Sequence, residues 1–201
     1  MNSILKRIVI ELTGISPIML HNERLANPRD PLTAALRKLT SQRKKTDELL
    51  DEIAKREWFA GLYESGGKVV VPADNILACI KEGARKRKLG KQAEAGLFSE
   101  ARNFPLKYDG PADIEKLWED GRFFDYRSVA VNQARTMRAR PRFDEWSLTF
   151  ELFFDPEVLS ESDLKEAIET AGTLVGLCEK RPQFGRFVSK VVETGNVAKA
   201  A

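Results

Sequence analysis

WSLTFELFF, residues 146–154, is the stretch on which the fold turns. Trp146, Leu148, Phe150, Leu152 and Phe154 alternate with Ser147, Thr149 and Glu151, a period of two that sets large apolar side chains along one face of an extended chain. The next stretch, SESDLKEAIETAGTLVG (160–176), changes the period. Leu164, Ala167, Ile168, Ala171 and Val175 recur at helical spacing, and Ser160 with Asp163 three residues on has the form of a capping box. FGRFVSKVVE (184–193) returns to an extended pattern, and the tail beyond it reads as frayed. Strand, helix, strand is therefore predicted for the C-terminal part of the chain.

Working back, ILKRIVIEL (4–12) puts Ile4, Ile8, Ile10 and Leu12 on one side of a strand and Arg7 and Glu11 on the other, with Gly14 and Pro17 closing it. GGKVVVP (66–72) is a short strand after a glycine turn. Pro72 releases the chain into ADNILACIKEGARKRK (73–88), a helix with Asp74 as its cap and Ile76, Leu77, Ile80 and Ala84 towards a core. FPLKYDGPADIEKLWEDG (104–121) reads as a connection holding a short strand and a small helix. Two segments stand outside this order. Residues 32–63 are helical, but their middle, TSQRKKTDE (40–48), has no apolar stripe and must either project or separate two helices. Residues 122–145 carry β-rich patches broken by arginines. Without these segments the order is β, α, β, β, α, β, so the expected fold is α+β, with a ferredoxin-like (RRM-like) antiparallel sheet. The expected organisation is one domain over residues 1–201, with a helical insertion around 32–63 and an Arg-rich hairpin insertion around 122–145.

Composition excludes more than it identifies. With 42% hydrophobic and 31% charged residues, neither disorder nor a membrane class is indicated. A net charge of +3 does not identify a nucleic-acid binder, a case that rests on where cations cluster. Cys79 and Cys178 lie far apart in apolar helical patterns, so buried thiols are expected rather than a metal site or a disulfide framework. The opening MNSILKRIVIEL has neither a signal-peptide apolar region nor a membrane span, and a cytoplasmic location is expected.

Cations cluster in three places. ARTMRARPRFDEW (134–146) holds Arg135, Arg138, Arg140 and Arg142 beside Phe143 and Trp146. Guanidinium groups grip phosphates while aromatic rings stack on bases, so this mixture suits single-stranded nucleic acid. Arg138, Arg140 and Arg142 alternate, and an extended backbone aims them the same way. The plainer alternative is a solvated hairpin whose arginines protect an edge from aggregation. Lys81, Arg85 and Lys88 follow i, i+4, i+7 spacing along one flank of the predicted helix 73–88, an arrangement that is ordinarily just solvated. CEKRPQFGRF (178–187) gathers Lys180, Arg181 and Arg186 around Gly185. The run RKLTSQRKK (37–45) reads as a solvated face, or as a clamp or subunit contact on the insertion. His21 is the only histidine and has no paired cysteine, serine motif or second metal ligand near it in sequence, so it is assigned to a surface or loop-capping role.

Three stretches resemble the RAMP superfamily, and within it the backbone subunits of CRISPR effector complexes that polymerise along a guide RNA. LTGISPIMLHN (12–22) resembles the family's loop after strand one, KVVVPADNILACIKEGARKR (68–87) its helix start, and GLCEKRPQFGRF (176–187) its glycine-rich loop before the last strand. Where the family has Gly-Ser-Ser-Leu-Lys-Gly this chain has Ala73, Asp74, Asn75, Ile76, Leu77 and Ala78, and its C-terminal loop keeps only Gly176 and Gly185. The sequence as a whole also resembles proteins of bacteriophages and prophages, which makes a stand-alone binder the expectation rather than an interference subunit. The resemblance implies that the glycine loop lies over the sheet against RNA backbone, with Gly185 permitting close approach and Arg181 and Arg186 supplying charge. It also makes Asp30, in NPRDP (27–31), the candidate for the aspartate with which some of these subunits cut RNA, although Asn27 and Pro28 occupy the neighbourhood of that residue.

The expectation is a non-enzymatic protein that binds single-stranded RNA or DNA through Lys81, Arg85, Lys88, Arg135, Arg138, Arg140, Arg142, Arg181, Gly185 and Arg186, assembling as a homo-oligomer or filament along the strand, with no cofactor, metal or membrane. The alternatives are an Asp30-dependent, metal-assisted ribonuclease and a phage protein that binds or inhibits another protein.

Overall fold

The computed structural model describes residues 5–131 and 134–197; Ile4 and the extreme C-terminal tail lie outside them. In chain order the elements are β1 (Lys6–Gly14), β2 (Ile18–Met19), a 3-10 turn (Glu23–Ala26), α1 (Pro31–Thr40), α2 (Asp47–Gly61), β3 (Glu64–Ser65), β4 (Lys68–Pro72), α3 (Ala73–Lys86) and α4 (Gly90–Gly96). They continue with β5 (Leu97–Phe98), β6 (Asn103–Lys107), α5 (Ile114–Asp120), β7 (Phe124–Val131), β8 (Ala134–Phe143), β9 (Ser147–Phe154), α6 (Glu161–Thr170), a π-helical turn (Ala171–Val175) and β10 (Phe187–Asn196). The protein is α+β with antiparallel strand pairing.

The chain divides into two compact units, one of Met1–Ile18, Val70–Asp109 and Asp144–Ala201, the other of Met19–Val69 and Gly110–Phe143. Of the segments expected as insertions into one domain, 32–63 and 122–145, the first falls wholly in the second unit and the other as far as Phe143.

In the first unit the strands lie in the order β10-β1-β9-β6-β4, with β5 paired to the end of β9. Taken with α3 and α6, the series β1, α3, β6, β9, α6, β10 has the spatial strand order fourth, first, third, second, compatible with a ferredoxin-like core to which β4 adds an outer strand. The alternation of residues 146–154 is realised as β9 pairing with β1. Ile8 lies opposite Leu152, Ile10 opposite Phe150 and Leu12 opposite Leu148. All six are buried, each contributing about 1.5–3 kcal/mol by leaving water. Ile76, Ile80 and Ala84 of α3 and Leu164, Ala167 and Ile168 of α6 are buried as their spacing requires. Gly83 makes the helix contact close: a Cβ there would overlap the Ala167 carbonyl and the Ala171 backbone.

The start of α6 follows the capping box. Ser160 Oγ accepts from the Asp163 N–H at 3.1 Å and donates to the Asp163 carboxylate at 2.8 Å. The start of α3 does not follow its prediction. Pro72 occupies the cap position without a side-chain bond, the Ala73 N–H donates to the Arg102 carbonyl, and Asp74 lies in the first turn. A neighbouring main-chain acceptor makes a side-chain cap unnecessary there.

The second unit is built on Trp58 of α2, fully buried, whose indole N–H donates to the Phe123 carbonyl at 2.8 Å and whose ring lies 5.6 Å from that of Trp118. Leu36, Leu62, Leu117, Phe123 and Phe143 are among the residues buried with it. The polar stretch 40–48 contains the break between α1 and α2, with Lys45 Nζ donating to the Leu39 and Thr40 carbonyls at the end of α1.

Candidate nucleic-acid interface

The β7–β8 hairpin places the arginines. Asp125 lies opposite Arg140, Arg127 opposite Arg138 and Val129 opposite Thr136. Residues opposite one another share a face, so Arg138, Arg140 and Arg142 stand together beside Asp125, Arg127 and Val129. The other face carries Phe124, Tyr126, Ser128, Met137, Ala139 and Pro141. Arg135 is three positions from Arg138 and falls on this second face, exposed, so it does not extend the arginine row.

The arginine face borders a cavity of about 490 Å³ within the second unit. Arg138 and Arg140 of β8, Arg37 and Thr33 of α1, Glu57 of α2, and His21 line it, with Leu25, Leu36 and Val129 as apolar wall. Glu57 is buried at 6% exposure. Its carboxylate accepts from Arg138 Nη1 at 2.9 Å and from the Ala139 N–H at 2.9 Å. Burial pushes its pKa up, and the Ala139 N–H and the charges of Arg138 and Arg140 offset this only in part. Asp125 and Arg127 pair with each other on the same hairpin face. Arg37, Arg138 and Arg140 thus line the cavity together with Glu57, and of these Arg138 is bonded to the carboxylate. His21 also lines the cavity, and the His21 main-chain carbonyl accepts from the Tyr63 hydroxyl at 3.0 Å.

Glu57 is not singled out by the sequence, and Arg37 enters only as the start of the run 37–45, read as a solvated face or as a clamp or subunit contact. Its local run is indistinguishable from a solvated face, and only the packing of α1 within this unit brings it to residues a hundred positions away. The aromatic partners also differ from expectation. Phe143 and Trp146 are buried at 0% and 4%, and Trp146 donates its indole N–H to the Ser16 carbonyl, so neither ring is open to a base. The exposed rings of the hairpin are Phe124 at 37% and Tyr126 at 42%, on the face opposite the arginines.

The cations of the first unit fall at opposite ends of α3. Lys81 pairs with Glu94 at 3.0 Å, and Arg85 with Glu82 at 3.0 Å and Glu94 at 3.9 Å. Lys88 lies beyond the helix end at Lys86, with φ of +64°, so the predicted i, i+7 flank is not formed. Towards the other end, Asn75 Nδ2 lies 3.8 Å from Cys178 Sγ and Cys79 Sγ donates to the Gly176 carbonyl at 3.1 Å. Arg85 is ten residues beyond Asn75, about 15 Å along the helix.

Gly185 has a purpose different from the one expected. Its φ is +71°, its N–H donates to the Pro17 carbonyl at 2.7 Å, and its carbonyl accepts from the Leu177 N–H at 2.8 Å. A Cβ there would overlap the Leu177 backbone, so the close approach that glycine permits is to the chain's own main chain. Lys180 lies over the Phe184 ring at 5.3 Å, while Arg181 and Arg186 are exposed. Burial pushes the Cys79 and Cys178 thiols up to about 12, which keeps both protonated at neutral pH.

Asp30 caps α1, its carboxylate accepting from the Leu32 and Thr33 N–H groups at 3.0 Å. Among the described residues no group of three or more His, Cys, Asp or Glu side chains is placed to hold a metal ion, and no helix is long and apolar enough to cross a membrane. No family model matches the chain, and no curated protein matches it.

Proposed function

We propose that this chain is a non-enzymatic protein that binds single-stranded RNA or DNA and assembles along the strand. The observation that carries the reading is the convergence of Arg37, Arg138 and Arg140 on one cavity of the second unit, with Glu57 holding Arg138 in place. A guanidinium held by a carboxylate, as Arg138 is by Glu57, loses less entropy when it takes up a phosphate, and it binds in a fork geometry. Tyr126 and Phe124 offer exposed rings on the opposite face of the same hairpin. The exposed Arg181 and Arg186 in the first unit supply further sequence-independent charge. In this reading Asp30 works as a helix cap, not as a catalyst.

The test is fluorescence anisotropy with oligothymidylate and oligouridylate across a salt series. Log affinity is expected to fall linearly with log salt as phosphate neutralisation releases counterions. The Arg138→Ala/Arg140→Ala double variant should lose most of the affinity and flatten the slope by about two. Binding that ignores salt, or an absence of binding by folded protein at low salt, would overturn the proposal in favour of a protein partner.

A further inference from the structure

We infer that the open groove at the α3–α4 corner of the first unit holds a stretch of phosphodiester backbone, with Lys88 and Lys91 as the cations that meet it; this deepens the nucleic-acid reading of the chain and rests on it. The groove has a volume of about 560 Å³ and is lined by Arg85, Lys88, Gly90, Lys91, Gln92 and Glu94. Its cations differ in what they are free to do. Arg85 is paired with Glu82 and Glu94, and Lys81 holds Glu94 as well. Lys88 and Lys91 are exposed and have neither an ion pair nor a side-chain hydrogen bond among the described residues. Two positive charges therefore stand at one groove with no carboxylate committed to either.

Both lysines stand where the local backbone disfavours them. α3 ends in a Schellman motif, with the Leu89 N–H donating to the Ala84 carbonyl at 2.8 Å and the Lys88 N–H to the Arg85 carbonyl at 3.0 Å. Lys88 thereby takes the left-handed position, at a φ of +64°, which glycine ordinarily fills because a β-carbon is crowded there. A cation near a helix C-terminus gains from the dipole, but Arg85 and Lys86 already supply that in the last turn. Lys91 lies in the first turn of α4, where a positive charge opposes the dipole. Gly90 keeps the two helices close, since a Cβ there would overlap the Arg85 side chain. Charge held against local preference, unused by the fold and gathered at one groove, is left for a ligand that brings the anions.

The lining selects the kind of anion. None of its six residues presents an apolar side chain for burial among lipid tails, as a membrane-binding face requires. Ammonium groups are point charges on flexible stems, suited to neutralising successive phosphates without reading bases, and an open groove suits a backbone that passes through it.

The decisive variant is Lys88→Gly in the full chain. It relieves the left-handed residue, so the melting temperature should hold or rise, while a groove that grips phosphates should lose affinity. Lys88→Gly and Lys91→Gln should each weaken binding to oligothymidylate and oligoadenylate alike, about fivefold at low salt, and each should flatten the log–log salt slope by about 0.7. Lys88→Arg, which keeps the charge, should retain the parent affinity. Parent affinity and slope in the Lys88→Gly/Lys91→Gln double variant, with binding still lost in Arg138→Ala/Arg140→Ala, would overturn the inference and leave the nucleic-acid reading standing. A melting temperature that drops in Lys88→Gly would overturn it too, by assigning the lysine to the fold. So would binding to phosphatidylserine vesicles that the double variant loses while its strand affinity is unmoved, which would give the groove to a membrane surface. A parent that binds neither oligonucleotide at low salt would refute the inference and the nucleic-acid reading together.

Discussion

Replacing Glu57 by glutamine should loosen the second unit and at the same time strengthen its hold on anions. Two hydrogen bonds at 2.9 Å converge on the carboxylate, from Arg138 Nη1 and the Ala139 N–H. Glutamine keeps a carbonyl for one donor and turns an NH₂ group towards the other, so one bond to a charged partner is lost, a change worth about 1.5–3 kcal/mol. Two effects reduce the loss. The raised pKa of Glu57 means its surroundings already favour a neutral group, and Arg138, 31% exposed, recovers part of its solvation from water. The net cost is therefore about 1 kcal/mol, against roughly 3 kcal/mol for Glu57→Ala, which leaves both donors without this acceptor. Anion binding moves the other way. Removing one negative charge about 6 Å from a bound phosphate gains about 2–3 kcal/mol at an effective dielectric of ~20, cut by salt to about 1 kcal/mol, or roughly fivefold in affinity.

The same carboxylate predicts a pH dependence with a definite sign. Its folded pKa lies above the ordinary 4.5, so between 4.5 and the folded value the native state holds a proton that the unfolded chain has released. Its contribution to stability is fullest below 4.5 and is lost as pH rises through the folded pKa. The stability of the parent relative to Glu57→Gln should therefore fall across that window and level off above it. Urea denaturation followed by tryptophan fluorescence, with Trp58 two turns or less from the site on α2, reads the stability, and oligonucleotide anisotropy reads the affinity. A Glu57→Gln protein of unchanged stability that binds anions more weakly would refute the reasoning, because the carboxylate would then be touching ligand instead of holding Arg138.

Gly83→Ala should destabilise the first unit by about 1–3 kcal/mol despite the ~1 kcal/mol gain in helix propensity, because the added methyl meets the Ala167 carbonyl and Ala171 backbone, which cannot turn aside; a raised urea midpoint would contradict this. Asp30→Ala should cost about 1 kcal/mol through loss of the α1 cap and leave bound RNA intact with magnesium present; cleavage by the parent that disappears in this variant would establish a nuclease. In native mass spectrometry the complex should gain mass in whole-subunit steps as the oligonucleotide lengthens, and one subunit per strand at every length would eliminate assembly along the strand.

The α+β fold was legible wherever a single element's pattern determined its burial. Residues 146–154 and 160–176 show this, since a period of two or 3.6 carries its own buried face and the capping box marks its own boundary. The cap at Asp74 failed for the converse reason. The Ala73 N–H finds its acceptor on Arg102, nearly thirty residues away, and no local pattern records that acceptor. The aromatics failed similarly. Phe143 and Trp146 were near arginines in sequence, but Phe143 ends β8 and Trp146 directly precedes β9, and both are drawn inside, while Phe124 and Tyr126 of β7 are exposed.

The arginines divide along the same line. That Arg138, Arg140 and Arg142 share a face follows from alternation and holds in the hairpin, and the same alternation puts Arg135 on the other side. What lies in front of that face depends on the packing of α1 and α2, so Glu57 carried no signal in the sequence and Arg37 only the ambiguous one of a cationic run. Their placement also separates two meanings of an arginine row. A row facing open solvent protects an edge, and its deletion should leave every ligand property unchanged. A row facing a cavity, with Arg138 bonded to the buried Glu57 carboxylate, holds its charge where an incoming anion can meet it. The second arrangement makes stability and binding interdependent, so a saturating anion should raise the melting temperature of the parent more than that of the Arg138→Ala/Arg140→Ala variant. An equal rise in both proteins would return the arginines to edge protection.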